Sequence, residues 1–188
     1  AYRFPESAAI ALARAAEYAA YRRRPPGRLV FFDDVDGTGA RRLVEGWLAG
    51  AGEGEVEPDG SGTRRLMAAF GMPVEDGGPD GDLSGALRVR VRQDATFGPL
   101  LEVEAGSARW VRITPLTDRD ARELVEAARP GWRGAEEALL RLSQMVEELP
   151  WLARLEAVLR PHGDGVRWQD VRLGLRGGLH EPPPPVHT

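Results

Sequence analysis

A chain of 188 residues is long enough for one ordinary domain that buries about 70% of its unfolded surface without staples. It has no cysteine, which excludes disulfides, thiolate metal sites and a cysteine nucleophile, and no apolar run approaches about 20 residues, so nothing reads as a membrane span. The formal net charge is −4 with acids and bases interspersed, which is a solvated surface and not the basic face of a nucleic-acid binder; all 25 basic residues are arginine, so the chain offers no lysine ammonium to a phosphate.

Residues 7–23 predict a helix, rich in Ala, with Ile10, Leu12, Ala16, Ala19 and Ala20 on a mostly small-residue face and a stop at Pro25-Pro26-Gly27. Residues 29–32 form a short strand or an apolar anchor, since four residues carry no decisive period. A second helix spans about 38–48 with Leu43, Val44, Trp47 and Leu48 inward, and the glycine-rich stretch 50–62 reads as a loop. The third helix, about 63–70, has Asp59 and Ser61 as candidate caps, and residues 71–85 hold too many Gly, Pro and Asp for regular structure.

The period then switches from helical to twofold. Leu87, Val89 and Val91 alternate with Arg88, Arg90 and Arg92, a half-buried strand with a charged outer face. Residues 101–105 and 109–113 predict two more strands joined at Gly106-Ser107. Thr117 caps the next helix, with Asp120 completing a near capping box, and that helix runs to about Ala128. After Pro130-Gly131 a helix over 135–149 carries Leu139, Leu142, Met145, Val146 and Leu149 as a core stripe. Two final strands, about 152–159 and 166–175, make an antiparallel hairpin across 161–165, and a proline-rich tail reads as disordered. The fold class expected is α+β: a mostly antiparallel sheet of about five strands with helices on one face, preceded by N-terminal helices. The expected division is a helical joining segment over 1–50, a domain over 51–176 and the tail over 177–188. A start at Ala1 without Met reads as a piece of something longer, and the missing cysteine framework fits a cytoplasmic protein.

Several segments, in order, resemble the ATP-grasp part of NDP-forming acyl-CoA synthetases of the acetate–CoA ligase type. The opening 2–25 is similar to the joining helix before that domain, and 66–74 to its first helix and turn. Asp94, Phe97, Gly98 and Pro99 match an Asp-x-x-Phe-Gly-Pro segment, 114–121 a Pro-Leu-Thr-Asp-x-Asp-Ala stretch, and Asp170 and Arg172 fall in its last matching segment. The resemblance implies the C-terminal lobe of a domain that closes around ATP and magnesium, a module also found fused to GNAT-type protein acetyltransferases. It also implies losses. About a dozen residues lie between Val74 and Ala86, where the family places its first nucleotide-holding lobe; even one βαβ-like unit takes roughly 30. Ala86 stands where an ATP-contacting Glu is expected, and Arg154 to Ala157 where a strand supplies a metal-ligating Asn. ATP and magnesium are therefore read as lost, with no cofactor and no catalytic residue assigned; Glu156 is the one weak metal candidate.

Among the remaining candidates, His162 lies in a turn and His180 and His187 in the tail, without metal-ligand spacing. Ser143 sits on an apolar helix without a base, and Asp33, Asp34 and Asp36 read as a solvated loop and cap. Arg88, Arg90 and Arg92, with Arg109 and Arg112 on a neighbouring strand, are the candidates for a docking surface or a small-anion site. The function expected is a degenerate module that regulates or docks a protein partner or a fused acyltransferase or CoA-ligase domain, with no nucleic acid and no membrane. The alternative is an ATP-grasp half of an active ADP-forming synthetase, completed by another chain.

Overall fold

The computed structural model describes residues 5–23, 26–50, 54–75 and 85–177. The expected tail with His180 and His187, the stretch 76–84 and Gly52 lie outside the described residues. Eleven elements follow in chain order: α1 (Pro5–Arg23), α2 (Gly37–Leu48), α3 (Gly60–Ala69), β1 (Val74–Glu75), β2 (Leu87–Asp94), β3 (Gly98–Ala105), β4 (Ala108–Ile113), α4 (Asp118–Ala128), α5 (Ala135–Glu148), β5 (Leu152–His162) and β6 (Gly165–Leu175).

The class is α+β, with a mixed sheet of six strands in the order β1-β6-β5-β2-β3-β4. All pairings are antiparallel except β1 with β6. The sixth strand, β1, is two residues long and falls in the stretch read as irregular; its pairing of Val74 with Trp168 and Glu75 with Gln169 comes from tertiary context. Period two decides the rest. Leu87, Val89 and Val91 are at most 1% exposed, and with Leu101, Val103, Leu155, Leu159 and Leu173 they make the sheet's side of the core. Leu139, Leu142, Met145, Val146 and Leu149 of the α5 region meet them from the helical layer, with Leu124 and Val125 of α4.

The glycine-rich run 50–62 is not all loop. Asp59 is the N-cap, accepting from Gly62 N at 2.6 Å and Ser61 Oγ at 2.8 Å, so the helix begins at Gly60 despite its glycines. Residues 26–32 are an anchor: Leu29 bridges Thr117, Arg28 and Asp118 exchange backbone and side-chain bonds, and Val30 and Phe32 pack on the core. Ala40 and Val44 of α2 are fully buried in the same core, so it does not stop at residue 50. In α1, Ile10 and Leu12 are exposed.

One guanidinium ties these layers together. Arg141 of α5 donates to both oxygens of Asp34 at 3.0 and 2.9 Å, to Glu137 at 2.8 Å and to Phe70 O at 3.3 Å, and its guanidinium lies 4.2 Å from the Phe32 ring centre. Asp36 caps α2, so of the aspartates in 33–36 Asp34 serves as an anchor and Asp36 as a cap.

The α4 cap is a full capping box: Asp120 N donates to Thr117 Oγ1, and Thr117 N donates to Asp120 Oδ2 at 3.0 Å. Thr117→Ala is expected to lower stability by about 1 kcal/mol, read as a shift of the urea midpoint at unchanged slope.

Candidate functional site

Residues directly opposite in antiparallel strands share a sheet face, so the register locates the candidate arginines. Arg88 lies opposite Glu104 and Val158, Arg90 opposite Glu102 and Glu156, and Arg92 opposite Leu100 and Arg154. On the next strand Arg109 lies opposite Glu104 and Val111 opposite Glu102; beyond β5, Arg172 lies opposite Glu156. These side chains therefore share the face turned away from the helices, and that face is the candidate site.

It is an ionic lattice. Arg90 Nη1 donates to Glu104 at 2.6 Å, and Arg88 stands 3.9 Å from the same carboxylate. Arg92 Nε donates to Glu102 at 2.6 Å, with Arg109 at 3.7 Å from its other oxygen. Glu102 is only 3% exposed, so an ionised carboxylate sits beneath two arginines and is neutralised by them. Arg90 Nε is a buried N–H without a hydrogen bond, 3.5 Å from Glu156. Arg154 is held by Glu55 at 2.6 Å and by Glu57, both from the segment before α3. The Glu55 side chain lies over Gly174, in the space that a Cβ there would take.

Arg112 does not join the others. It lies opposite Leu101 on the helix-facing side, 3.8 Å from Asp120 and 3.6 Å from Glu123 of α4. It is three positions along from Arg109, and an odd step along a strand changes face. Nor is β4 next to β2, because β3 lies between them.

The Asp94–Pro99 segment is the β2–β3 turn. Asp94 accepts from Thr96 N at 2.9 Å and Phe97 N at 3.1 Å, and Gly98 has φ +74°, which favours glycine. Phe97 is 61% exposed beside this turn. Asp170 has φ +51° at the irregularity between β5 and β6, and it and Arg172 are exposed. Glu156, the weak metal candidate, has Arg90 at 3.5 Å and Arg172 opposite, a cationic setting; among the described residues no group of three His, Asp or Glu side chains is gathered for a metal. His162 ends β5, 3.6 Å from Glu75. The Ser143 hydroxyl accepts from Leu116 N at 2.7 Å and is buried, which is a structural use. A hollow of about 220 Å³ between α5 and the β1–β6 edge contains Arg141, whose charge Asp34 and Glu137 already answer.

Sequence reasoning singled out the arginines and missed their acids. Glu102 and Glu104 alternate with Val103 in the sequence, the same period that reveals β2, and that was the available signal.

The class this architecture defines is an α+β lobe with one helix-covered and one open sheet face. No protein-family model matches the sequence, and a comparison with curated proteins finds no relative. Among solved structures, PH1788 from Pyrococcus horikoshii is similar over 74% of this chain and 99% of its own, at 15% identity and a TM-score of 0.57, which is a likeness of fold. The dinucleotide-forming acetyl-coenzyme A synthetase 1 of Candidatus Korarchaeum cryptofilum, solved with coenzyme A and Mg-AMPPCP, is similar over 53% of this chain and 55% of its own, at 20% identity and a TM-score of 0.44. Its apo form aligns over 86% and 90% at 16% identity and the same TM-score. This chain spans about half the length of the first synthetase chains it matches.

The Asp94 carboxyl is held below its ordinary range, first by the Thr96 and Phe97 N–H groups and then by Arg92. A depressed carboxylate stabilises the fold above its unfolded pKa, and that contribution is lost as pH falls through the folded value. The stability gap between the native chain and Asp94→Ala is therefore expected to be full at neutral pH and to close in acid, measured by urea unfolding across pH.

Proposed function

We propose that this chain is a non-catalytic relative of the ATP-grasp part of acyl-CoA synthetases, and that its open sheet face docks a protein partner, such as a fused or separate acyltransferase or CoA-ligase domain. The observation that carries the reading is the engagement of the face's arginines. Arg88, Arg90, Arg92, Arg109 and Arg154 each have a carboxylate within 4.0 Å, supplied by Glu55, Glu57, Asp94, Glu102, Glu104 and Glu156. A polyphosphate needs surplus positive charge in a site that excludes water, and here it would have to displace carboxylates from arginines that are already paired. The absence of lysine from the chain and the short segment between Val74 and Ala86 support the same reading.

A lattice of alternating charge suits recognition of a protein surface with the complementary pattern. Such complementarity fixes register and partner choice more than raw affinity.

Two measurements test this. Calorimetric titration of ATP with magnesium into the chain is expected to give no saturable heat; micromolar binding would make it a working ATP-grasp half instead. Arg88 is the most loosely held member of the β2 row, its contact with Glu104 being 3.9 Å against 2.6 Å for the nearest contacts of Arg90 and Arg92. Arg88→Glu should leave the fold intact and weaken co-purification with a co-expressed acyltransferase or CoA-ligase domain; unchanged co-purification removes the face as the docking surface.

A further inference from the structure

We infer that the free edge of the sheet pairs with the same edge of a second copy, β4 against β4, antiparallel about Val111. β4 ends the sheet, and no described residue forms a bridge on its far side. Which of its backbone groups face outwards follows from the register. Thr114 N donates to Pro99 O at 3.1 Å, and hydrogen-bonded and non-hydrogen-bonded pairs alternate along an antiparallel ladder. Arg112, Trp110 and Ala108 therefore exchange bonds with Leu101, Val103 and Ala105, while Arg109, Val111 and Ile113 turn their N–H and C=O groups away from β3. The Val111 carbonyl agrees: it accepts from Arg112 Nη1 at 3.0 Å, which a carbonyl bonded to β3 would not favour, and a second lone pair remains.

Three outward residues spaced by two are self-complementary under a twofold axis. Val111 meets Val111 of the second copy, and Arg109 meets Ile113 in both directions, so that each outward donor finds an outward acceptor. The faces also match, because these three residues all lie on the face of Glu102 and Glu104. On the helix-facing side Trp110 comes opposite Arg112 of the second copy in a non-hydrogen-bonded pair, where side chains approach closely and a guanidinium can lie against an indole. No arginine faces an arginine in this register.

The edge is open to pairing. Sheet edges are blunted by Pro, charged side chains, bulges or shortness. β4 is six residues long with no Pro and no register shift against β3, Ile113 is 52% exposed, and the strand's two charges are answered within the chain, Arg109 by Glu102 and Arg112 by Asp120 and Glu123. The opposite edge strand, β1, is only two residues long and offers little to pair with. The self-complementarity of 109–113 favours a second copy over a foreign strand. A strand pair this short sits at the low end of interface sizes, below about 1,200 Å², so the dimer should depend on concentration.

Sedimentation analysis of the chain over a series of loading concentrations tests the proposal, independently of any nucleotide or partner. A reversible monomer–dimer equilibrium is expected. Val111→Pro removes the outward donor while leaving the β3 ladder intact, and should weaken the dimer at least about tenfold. Val111→Lys sets two ammonium groups at the axis and should do the same, which keeps the test decisive if the proline variant loses its circular dichroism. A monomer at every concentration, as a foreign strand would require, or a dimer equally strong in the folded variants, overturns the inference.

Discussion

The structure depends on one constraint, the twofold period of β2 at the centre of the sheet. Its odd residues Leu87, Val89 and Val91 are driven out of water against α4 and α5, and its even residues are thereby fixed on the opposite face. A one-residue slip would turn the arginines into the core, at a cost far above any gain in pairing. With the register so pinned, Glu102 and Glu104 of β3 and Glu156 of β5 arrive opposite the arginines without local design. The charged face is thus a consequence of the apolar one, and its specificity comes from the register.

Within that face the burial of Glu102 decides what chemistry remains. A carboxylate 3% exposed is stable only with its charge answered, and Arg92 and Arg109 answer it. Those arginines are then held back from an incoming anion, because drawing Arg92 away would leave the buried charge with only the 3.7 Å contact to Arg109. A surface whose β2 arginines, with Arg109 and Arg154, are structurally committed is a poor phosphate clamp and a rigid pattern for another protein to read. Arg141 plays the matching part on the helical side: through Asp34, Glu137, Phe70 O and Phe32 it holds 32–34 and the end of α3 to α5, so the chain before the sheet is bound to the sheet's helical cover.

Local signals were legible in the sequence and long-range ones were not. Thr117 and Asp120 announce their capping box within four residues, and the alternation at 87–92 gives both the strand and its charged face. The parallel strand β1 carries no period in two residues, and only its neighbour β6 makes it a strand. The start of α3 at Gly60 runs against glycine's low helix propensity and rests on the Asp59 cap. Asp34 finds Arg141 across 107 residues, for which a single sequence holds no marker. The grouping of Arg112 with Arg109 was a parity error that the strand period itself could have corrected, whereas the pairing of Arg92 with Glu102 needed the β2–β3 turn, closed by Asp94 and Gly98, to set the register.

The turn and the free edge belong to one piece of geometry. Asp94 and Gly98 set β2 against β3, which places Glu102 under Arg92; the β3–β4 turn at Gly106 carries the same register outward, so that Arg109 reaches Glu102 and Val111 turns its backbone to solvent. The open face and the unpaired edge are therefore fixed together, by the same alternation that buries the core. Any partner that adds a strand at β4 extends the charged face without changing its pattern, since the added strand must present its own residues in the parity that Arg109, Val111 and Ile113 impose. For a second copy of this chain that parity is met by Ile113, Val111 and Arg109 themselves, and the two ionic lattices then lie side by side on one continuous sheet.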